Sequence, residues 1–479
     1  MKMQKMKVLI LNPPNPDHEK YVREGRCEQR ASSFQYLMVP ISLPSIAGLL
    51  RERGLDVKIV DCVAEEYDSQ KTIKIIKKYD PGLIIFNIAT VTYEGDKNFM
   101  ALVRKAQPKA HLTAIGIHVT ALAMETLIDT KLDSVIRGEP EMTALKLAIA
   151  LQQEKSLKKI KGLSCKGNPS LINNQARPMI SDLDTLPFPA RDLINNKLYK
   201  MPVYNRPYTL IITSRGCPNG CSFCTASLYY GSKIRMRSPE NILAEIKEVL
   251  QVHKIKDITF WADTFTYNRN FVFKLCQAII DSGLKFRWMC NARVDKVDLE
   301  MLQIMKKAGC EIVSYGVESG VQKILDRVGK NITLKQIRQA FLWTRKAGLE
   351  SAAYIIFGLP GETKKTIQET MRFVKKINPD YIQFYSAIPY PGTKFYKEAF
   401  EKDWIVTSNW EDFEQGKNII STPQLSVEEL AKLRKMAYLQ FYLRPVYIWG
   451  RLKVFIKKPK DFWPFMKQSF SFFKDWAEK

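Results

Sequence analysis

The sequence lacks a long apolar run, and it has few cysteines for its length. No stretch approaches the roughly 20 consecutive apolar residues that a bilayer-spanning helix needs. The chain passes from Met1 through Lys5 directly into a short strand-like run, so we expect no targeting segment and a cytoplasmic protein. Nine cysteines in 479 residues do not make a disulfide framework, which agrees with a reducing compartment. Six of them are scattered among apolar neighbours, where we expect small buried side chains: Cys27, Cys62, Cys165, Cys276, Cys290 and Cys310.

Internal repeats and low-complexity tracts are also absent from the sequence. With 46% hydrophobic and 26% charged residues, the composition is that of an ordinary globular protein. The length allows two or three domains, each with its own core. The formal net charge of +25 predicts a surface that attracts anions, but it does not choose among phosphates, nucleic acid and an acidic membrane.

The remaining three cysteines, Cys217, Cys221 and Cys224, have a C-x3-C-x2-C spacing. They follow the strand-like run 208–212, which places them on one tight loop. Three thiolates can hold three corners of a cubane iron–sulfur cluster, and the fourth iron is then open to another ligand. The alternative is zinc, which usually takes four ligands in pairs; the next histidine or cysteine after Cys224 is His253, beyond zinc-finger distance.

The first third of the chain, residues 1–165, alternates short apolar runs with helical stretches. This pattern predicts an α/β domain with a doubly wound parallel sheet. The predicted strands are 7–11, 57–61, 83–87, 112–116 and 134–137. In open parallel sheets, ligands lie outside the carboxyl ends of the strands. Three strands are followed by suggestive loops, and we expect a ligand there: 12–16, 116–121 and 137–141.

Beyond residue 165 the pattern first breaks up and then resumes. The turn-rich, proline-punctuated stretch 166–205 predicts a linker. From Tyr208 to about residue 400, six strand and helix units predict a partial (β/α)6 barrel of the TIM type. Polar and glycine clusters follow these strands, where barrels carry their chemistry. We therefore predict a first domain at 1–165, a linker at 166–205, a core at 206–400 and a C-terminal region at 401–479.

The C-terminal region, 401–479, has a different composition. A capped helix from Ser426 is followed by aromatic residues that are interleaved with lysines. This pattern suits contact with an anionic membrane, or a lid over an apolar substrate. An amphipathic helix packed on the barrel, with its lysines in water, is a third interpretation. The sequence leaves the three open.

The cysteine triplet resembles the signature of radical S-adenosylmethionine (SAM) enzymes, and the first domain resembles the cobalamin-binding domain that precedes the core in one large class of that family. The resemblance implies that Cys217, Cys221 and Cys224 hold a [4Fe-4S] cluster whose open iron binds SAM. Reductive cleavage of SAM then releases a 5'-deoxyadenosyl radical. The resemblance also implies an electron donor such as flavodoxin or ferredoxin.

Residues for binding SAM and cobalamin are implied by the same resemblance. The implied SAM contacts are Phe223, Gly358 and Gly361 at the adenine, Asp263 at the methionine amino group, and Arg293 and Glu318 at the ribose or carboxylate. A carboxylate for the ammonium group and a guanidinium for the carboxylate suit this ligand. The implied cobalamin contacts are Asn12, Gly116, His118, Thr120, Gly138 and Glu139.

One departure from other cobalamin proteins concerns His118. The D-x-H-x-x-G motif, whose histidine ligates cobalt, is absent, because Gly116 stands two residues before His118 and Ala121 three residues after it. If cobalamin binds, we expect no histidine on cobalt. A hydrogen-bonded loop histidine, and a domain that keeps the fold without binding cobalamin, are the alternatives.

The leading functional hypothesis is a radical SAM enzyme that acts on an apolar, lipid- or tetrapyrrole-like small molecule. Hopanoid methylases and the anaerobic magnesium-protoporphyrin monomethyl ester cyclase are similar in layout, which implies methylation or carbon-skeleton rearrangement. No catalytic side chain is predicted, since the protein positions the reactants and excludes water. One alternative is a tRNA methylthiotransferase, although that family carries a second cysteine triplet and a terminal β-barrel. Another is a basic binding module with a structural metal. We do not expect a nucleic-acid partner.

Overall fold

The computed structural model describes residues 5–15, 19–24, 29–30, 37–201, 205–457, 462–463 and 466–467. Pro16 of the first predicted loop, Cys27, and residues 458–460 of the aromatic and basic tail lie outside these ranges. Two large sheets organise the described part of the chain.

The first part of the chain builds a mainly parallel sheet with helices on both faces. The strands of this part are β1 (Lys7–Asn12), β2 (Tyr21–Val22), β3 (Gln29–Arg30), β4 (Asp56–Asp61), β5 (Leu83–Asn87), β6 (His111–Ile115), β7 (Ser134–Ile136), β8 (Leu163–Cys165) and β9 (Ile172–Asn173). Its helices are α1 (Ser42–Glu52), α2 (Cys62–Glu65), α3 (Ser69–Tyr79), α4 (Tyr93–Ala106), α5 (Ile117–Ala121), α6 (Ala123–Asp129) and α7 (Glu141–Gln152). Strands β2 and β3 form a separate antiparallel pair outside the sheet.

The strand order of this sheet is β4-β1-β5-β6-β7-β8-β9, and the strands from β4 to β7 are parallel. Alternate residues of β1 point to opposite faces, as the two-residue period of a strand requires. Val8 and Ile10 pack in the core under α1 and α7, whereas Leu9 and Leu11 pack with α4. The predicted doubly wound sheet is confirmed. The antiparallel β9 belongs to this sheet although it lies in the predicted linker, and the predicted domain limits stay a prediction.

The second part of the chain builds a sheet of parallel strands linked by helices. The strands of this part are β10 (Tyr208–Ile212), β11 (Ser214–Arg215), β12 (Arg235–Met236), β13 (Asp257–Trp261), β14 (Arg287–Ala292), β15 (Cys310–Glu318), β16 (Glu350–Phe357) and β17 (Tyr381–Ser386). Its helices are α8 (Ala226–Tyr230), α9 (Pro239–Gln251), α10 (Arg269–Asp281), α11 (Leu299–Lys307), α12 (Gln322–Arg327), α13 (Leu334–Lys346), α14 (Lys364–Ile377), α15 (Lys394–Glu401), α16 (Val427–Tyr442) and α17 (Pro445–Lys457). Strands β11 and β12 form a separate antiparallel pair outside the sheet.

The strand order of the second sheet is β10-β13-β14-β15-β16-β17, so the predicted partial barrel is confirmed. Local signals start its helices where the sequence predicts. The Ser238 side chain accepts a hydrogen bond from the backbone of α9, and Pro239 occupies the first helical position. Thr333 and Gln336 form a capping box at the start of α13.

The C-terminal region ends its described part in two helices, as predicted, after a mostly irregular segment at 402–425. Helix α16 lies along β17, where the Tyr442 hydroxyl donates to the Ile382 carbonyl at 2.8 Å. Helix α17 lies at the amino end of β17, where the Tyr447 hydroxyl donates to the Asp380 carbonyl at 3.1 Å. Within the described ranges, the helices are too short or too polar to cross a bilayer.

The predicted linker contacts both sheets. The Ala190 amide donates to the Pro44 carbonyl of α1 at 2.9 Å. The next residue, Arg191, is buried; it donates to the Leu210 carbonyl of β10 at 2.8 Å and forms an ion pair with Glu245 of α9. These contacts connect α1 of the first part of the chain to β10 and α9 of the second part.

Candidate cofactor-binding site

A cavity of about 240 Å³ opens at the carboxyl ends of the strands of the second sheet. Its wall is made by alternate residues of five strands: Thr259 and Trp261, Met289 and Asn291, Ser314 and Gly316, Tyr354 and Ile356, and Gln383 and Tyr385. The residues between them, such as Phe260 and Ile355, point into the core under the helices. The period of two therefore separates the face that lines the cavity from the face that packs.

The three cysteines Cys217, Cys221 and Cys224 all line this cavity. Their loop is held in place by the Cys217 amide, which donates to the Gly231 carbonyl at 3.1 Å. The Asn219 side-chain amide lies 3.2 Å from the sulfur of Cys217. Across the described part of the chain, no set of three or more His, Cys, Asp or Glu side chains is arranged around a single metal ion.

A buried ion pair stands beside the cysteines. Lys330 Nζ donates to Glu318 Oε1 at 2.6 Å, and both residues line the cavity. Glu318 adopts a left-handed backbone conformation with φ of 61°, and a Cβ at Gly316 would lie 2.4 Å from its carboxylate, so a side chain there would displace the pair. Burial raises the pKa of Cys221, and the positive charges of Lys330 and Arg293 oppose that rise.

Phe223, Asp263 and Arg293, which were predicted to bind SAM, also line the cavity. The Arg293 guanidinium donates to Asp295 at 2.9 Å and to the Lys330 carbonyl at 2.9 Å, which fixes its orientation. The structure therefore brings these three residues and Glu318 together with the cysteine loop.

Unsatisfied polar atoms in the wall show that the cavity suits a polar ligand. Thr259 Oγ1, Ser314 Oγ and Gln415 Oε1 are buried and have no hydrogen-bond partner among the described residues. Leaving such atoms buried and unpaired costs about 1–3 kcal/mol each, which a ligand with several polar groups recovers. Together with the thiols and the ion pair, these atoms fit a cluster-bound SAM molecule.

Gly358 and Gly361 are not among the residues that line the cavity. Gly358 faces Leu430 of α16, and its amide donates to Glu362 at 2.7 Å. Burial raises the pKa of Glu362 to about 8, although the backbone hydrogen bonds that its carboxylate accepts oppose the rise. The loop is thus held together by an internal contact, and its predicted role under the adenine stays a prediction.

A second cavity, of about 30 Å³, lies between the two sheets. Asn87 and Gly116 line it from the carboxyl ends of β5 and β6, and Trp261 and Asp263 line it from the second sheet. Glu24, Trp261 and Asp263 border both cavities. A group bound between the sheets would therefore contact residues that also line the cavity with the cysteines.

The predicted cobalamin residues fall into two groups. Thr120 Oγ1 donates to the Gly116 carbonyl at 2.7 Å and accepts from the Gly138 amide at 3.1 Å, which joins two of the predicted loops. Asn12 accepts a hydrogen bond from Asn87 at 3.0 Å, beside the second cavity.

Glu139 and His118 have other surroundings. Glu139 forms a buried ion pair with Arg235 at 2.8 Å. His118 is buried between Tyr93 and Trp410, with ring centroids 4.4 and 5.2 Å away, and burial lowers its pKa to about 3. It lines neither cavity. His118 therefore offers no ligand to a group bound between the two sheets.

Three residues of the site were not predicted from the sequence: Lys330, Gln415 and Glu24. Lys330 lies in a turn between α12 and α13, and no local pattern marks it. Gln415 comes from the C-terminal region and Glu24 from the first part of the chain, so only tertiary packing brings them to the cavity. Trp261 did carry a signal, because it stands two residues before Asp263 at the end of a predicted strand.

Comparisons with known proteins agree with this arrangement. The Radical SAM superfamily model matches residues 211–374, and the B12 binding domain model matches residues 30–148. An uncharacterized methyltransferase from Pyrococcus horikoshii is 33% identical over 444 residues, which cover 92% of this chain and 94% of that protein. The chain belongs to the B12-binding radical SAM family.

This radical SAM enzyme is also similar to another member of the family in sequence and to a solved structure in fold. It is 25% identical to the anaerobic magnesium-protoporphyrin IX monomethyl ester cyclase of Cereibacter sphaeroides, over 87% of this chain and 71% of that one. Its fold is similar to that of the radical SAM methyltransferase TsrM from Kitasatospora setae, with a TM-score of 0.68, 17% identity, and coverage of 84% and 78%. As a member of the family, the enzyme uses a [4Fe-4S] cluster, SAM and cobalamin.

Proposed function

We propose that this cobalamin-dependent radical SAM enzyme transfers a methyl group to an unactivated carbon of an apolar small molecule. When bound, the cluster and SAM supply a 5'-deoxyadenosyl radical, and cobalamin supplies the methyl group. The observation that carries the proposal is the composition of one cavity, which combines the three thiols with apolar and aromatic walls such as Tyr354, Ile356 and Ile388. The similarity to a methyltransferase over nearly the whole chain favours methyl transfer.

The side chains of the cavity would bind and orient the reactants. Cys217, Cys221 and Cys224 would hold the cluster, and the charges of Glu318 and Arg293 would hold the polar ends of SAM. The aromatic walls would hold the substrate by apolar contact.

The C-terminal region would help to exclude water. Gln415 lines the cavity, and its carbonyl accepts hydrogen bonds from the Ser386 amide and the Arg434 guanidinium, both at 3.0 Å. This segment is therefore fixed to the end of β17, where it closes part of the wall. A closed wall protects a reactive radical from side reactions.

The first experiment tests the radical chemistry. The protein is purified and reconstituted without oxygen, and iron per chain and 5'-deoxyadenosine formed from SAM and dithionite are measured. We expect Cys217→Ala, Cys221→Ala and Cys224→Ala each to lose both signals. The matched control is Cys62→Ala, a buried cysteine whose sulfur lies 3.2 Å from the Thr72 hydroxyl, away from the cavity. Triplet variants that keep iron and 5'-deoxyadenosine would contradict the proposed site.

The second experiment tests methyl transfer. The reconstituted enzyme is incubated with methyl-labelled SAM and an apolar cell extract, and labelled products are sought by mass spectrometry. We expect one class of apolar product to carry the label. Formation of 5'-deoxyadenosine without labelled product would favour carbon-skeleton rearrangement.

The iron count also tests the methylthiotransferase alternative, which needs a second cluster in the first domain. Burial raises the pKa of Cys62 to about 12, and the buried Cys165 belongs to β8. Neither lines the two cavities. We expect the iron of one cluster per chain; twice that amount would favour the alternative.

A further inference from the structure

Helix α17 presents one face to the protein and an apolar face to solvent. Tyr447 and Arg451, one turn apart, hold the inner face. The Tyr447 hydroxyl donates to the Asp380 carbonyl, and Arg451 pairs with Asp380 and, at 3.5 Å, with Glu350. Outward lie Val446, Ile448, Leu452 and Ile456, which are 69%, 46%, 40% and 80% exposed. Such exposure of neighbouring aliphatic residues is unusual on a free surface and marks an interaction site.

Exposed lysines end two helices that lie beside α17. Arg444, just before α17, donates to the Lys375 carbonyl at 3.1 Å and to Asn378 at 3.0 Å, which places the helix beside the end of α14. The end of α13 is also close, because Arg345 donates to the Asn378 carbonyl at 3.2 Å. Lys346 and Lys376, in the last turns of α13 and α14, are exposed.

The sequence of this part of the chain is strongly basic. Between residues 444 and 467 the basic residues are Arg444, Arg451, Lys453, Lys457, Lys458, Lys460 and Lys467, and the acidic residue is Asp461. Arg444 and Arg451 are engaged with the protein, as described above. Lysines at helix ends alone are a common response to the helix dipole, but Lys346 and Lys376 end two helices that lie beside an exposed apolar helix face.

We infer that a docking face, formed by Val446, Ile448, Leu452 and Ile456 with Lys346 and Lys376, binds the surface of a bilayer that contains anionic lipids. The aliphatic side chains enter the boundary between headgroups and acyl chains, while the lysines meet the negative headgroups. A helix of 13 residues is about 20 Å long and lies in the plane of the interface. Charge complementarity favours this occupant over a second copy of the chain, because two chains of net charge +25 would bring like charges together.

The position of the docking face sets the orientation of the bound enzyme. Glu350 and Asp380, which anchor α17, lie at the amino ends of β16 and β17, whereas the cavity opens at the carboxyl ends. The bilayer therefore contacts the end of the barrel opposite the active site. Helix α17 is therefore an anchor and does not cover the substrate. The inference does not depend on the proposed function.

Vesicle co-sedimentation with the full-length protein tests the inference. The vesicles contain phosphatidylcholine alone or a mixture with phosphatidylglycerol. We expect salt-sensitive binding to the mixed vesicles, which falls by about tenfold or more in Val446→Glu/Ile456→Glu and in Lys346→Glu/Lys376→Glu. Ile128→Glu is the matched control, since Ile128 is 75% exposed on α6 of the first sheet and should leave binding unchanged.

Each other outcome overturns the inference. Equal binding to both kinds of vesicle, or equal binding by the double variants and the wild type, excludes the docking face. Concentration-dependent dimerisation that Val446→Glu/Ile456→Glu abolishes, without vesicle binding, assigns the face to a second copy. Tight binding to an RNA oligomer, lost in Lys346→Glu/Lys376→Glu, assigns it to nucleic acid. Iron content of the reconstituted variants verifies that their fold is intact.

Discussion

Arg215 and Glu141 form a buried ion pair, 2.5 Å between Nη2 and Oε1, that joins β11 to α7. Glu141 starts α7 after the last parallel strand of the first sheet, and Arg215 stands two residues before Cys217. Glu139 lies 3.3 Å from Arg215 and also pairs with Arg235, so two carboxylates meet two guanidinium groups. Burial lowers the pKa of Arg215, but the neighbouring carboxylates outweigh this effect and raise it. The network ties the cobalamin-binding part to the loop that carries the cysteines.

Removing one partner of this network should destabilise the protein strongly. We expect Glu141→Ala to lower the free energy of unfolding by about 3–5 kcal/mol, because a buried guanidinium loses its counter-charge. Denaturant unfolding measures the change. The control is Asp192→Ala, which breaks the exposed pair with Arg51 and should cost about 1 kcal/mol or less. Equal losses in the two variants would show that the buried network contributes no more to stability than the exposed pair.

Gly116 should tolerate no side chain. Its φ is +128°, and a Cβ there would lie 2.1 Å from the Ile88 carbonyl oxygen at the end of β5. We expect Gly116→Ala to cost at least about 1–3 kcal/mol in stability from backbone strain and to lower the cobalt content after reconstitution.

Gly450 is the control for this substitution. A Cβ at Gly450 meets nothing within 4 Å, and the residue lies inside α17. Gly450→Ala should therefore stabilise the helix by about 0.5–1 kcal/mol. Normal cobalt content in Gly116→Ala would contradict close contact between cobalamin and the Gly116 backbone at the second cavity.

Glu362 should make stability depend on pH. Its folded-state pKa is raised from 4.5 to about 8, chiefly by burial. Between these values the folded protein holds a proton that the unfolded chain has lost, so stability falls as the pH rises from about 4.5 to 8 and levels off above. Glu362→Gln removes the contribution of this residue and leaves that of Glu24, whose pKa burial raises to about 7. Unfolding midpoints measured across that range, with the exposed Glu401→Gln as control, check the difference; an unchanged slope in Glu362→Gln would contradict it.

Lys330 should matter for SAM binding as well as for folding. Lys330→Met leaves the buried Glu318 carboxylate without its partner and removes a positive charge beside the cysteines. We expect the affinity for SAM, measured by titration of the cluster-containing protein, to fall by about tenfold or more. Lys402→Met, which breaks the more exposed pair with Glu398, should leave affinity unchanged. Identical affinities of the two variants for SAM would contradict a role of Lys330 in SAM binding.

Much of the fold could be predicted because its signals are local. Strand runs such as 83–87 and caps such as Ser238 depend on neighbours within a few residues, and the structure confirms them. The cysteine spacing is local too, and three predicted SAM residues, Asp263, Arg293 and Glu318, share the cavity wall with it because they follow parallel strands.

The rest of the site required distant segments to meet. His118 stands in one of the predicted cobalamin loops, yet Trp410, far along the chain, packs against it away from both cavities. Glu139 is a plausible ligand contact by its position after a strand, yet it neutralises Arg235. No local pattern predicts which buried carboxylate pairs with which arginine. The energy of such a pair depends on the burial and the geometry of both side chains, which only the folded structure defines.

The sequence by itself determined the two α/β units, the cysteine triplet and the order of strand ends, because hydrophobic period, capping and spacing act over short distances. Only the tertiary structure decided that Lys330 and Gln415 join the cavity, that Arg215 of β11 pairs with Glu141 of α7, and that α17 lies at the end of the barrel opposite the cysteines. These features arise from contacts between residues far apart in the chain, where packing and charge pairing outweigh local preference.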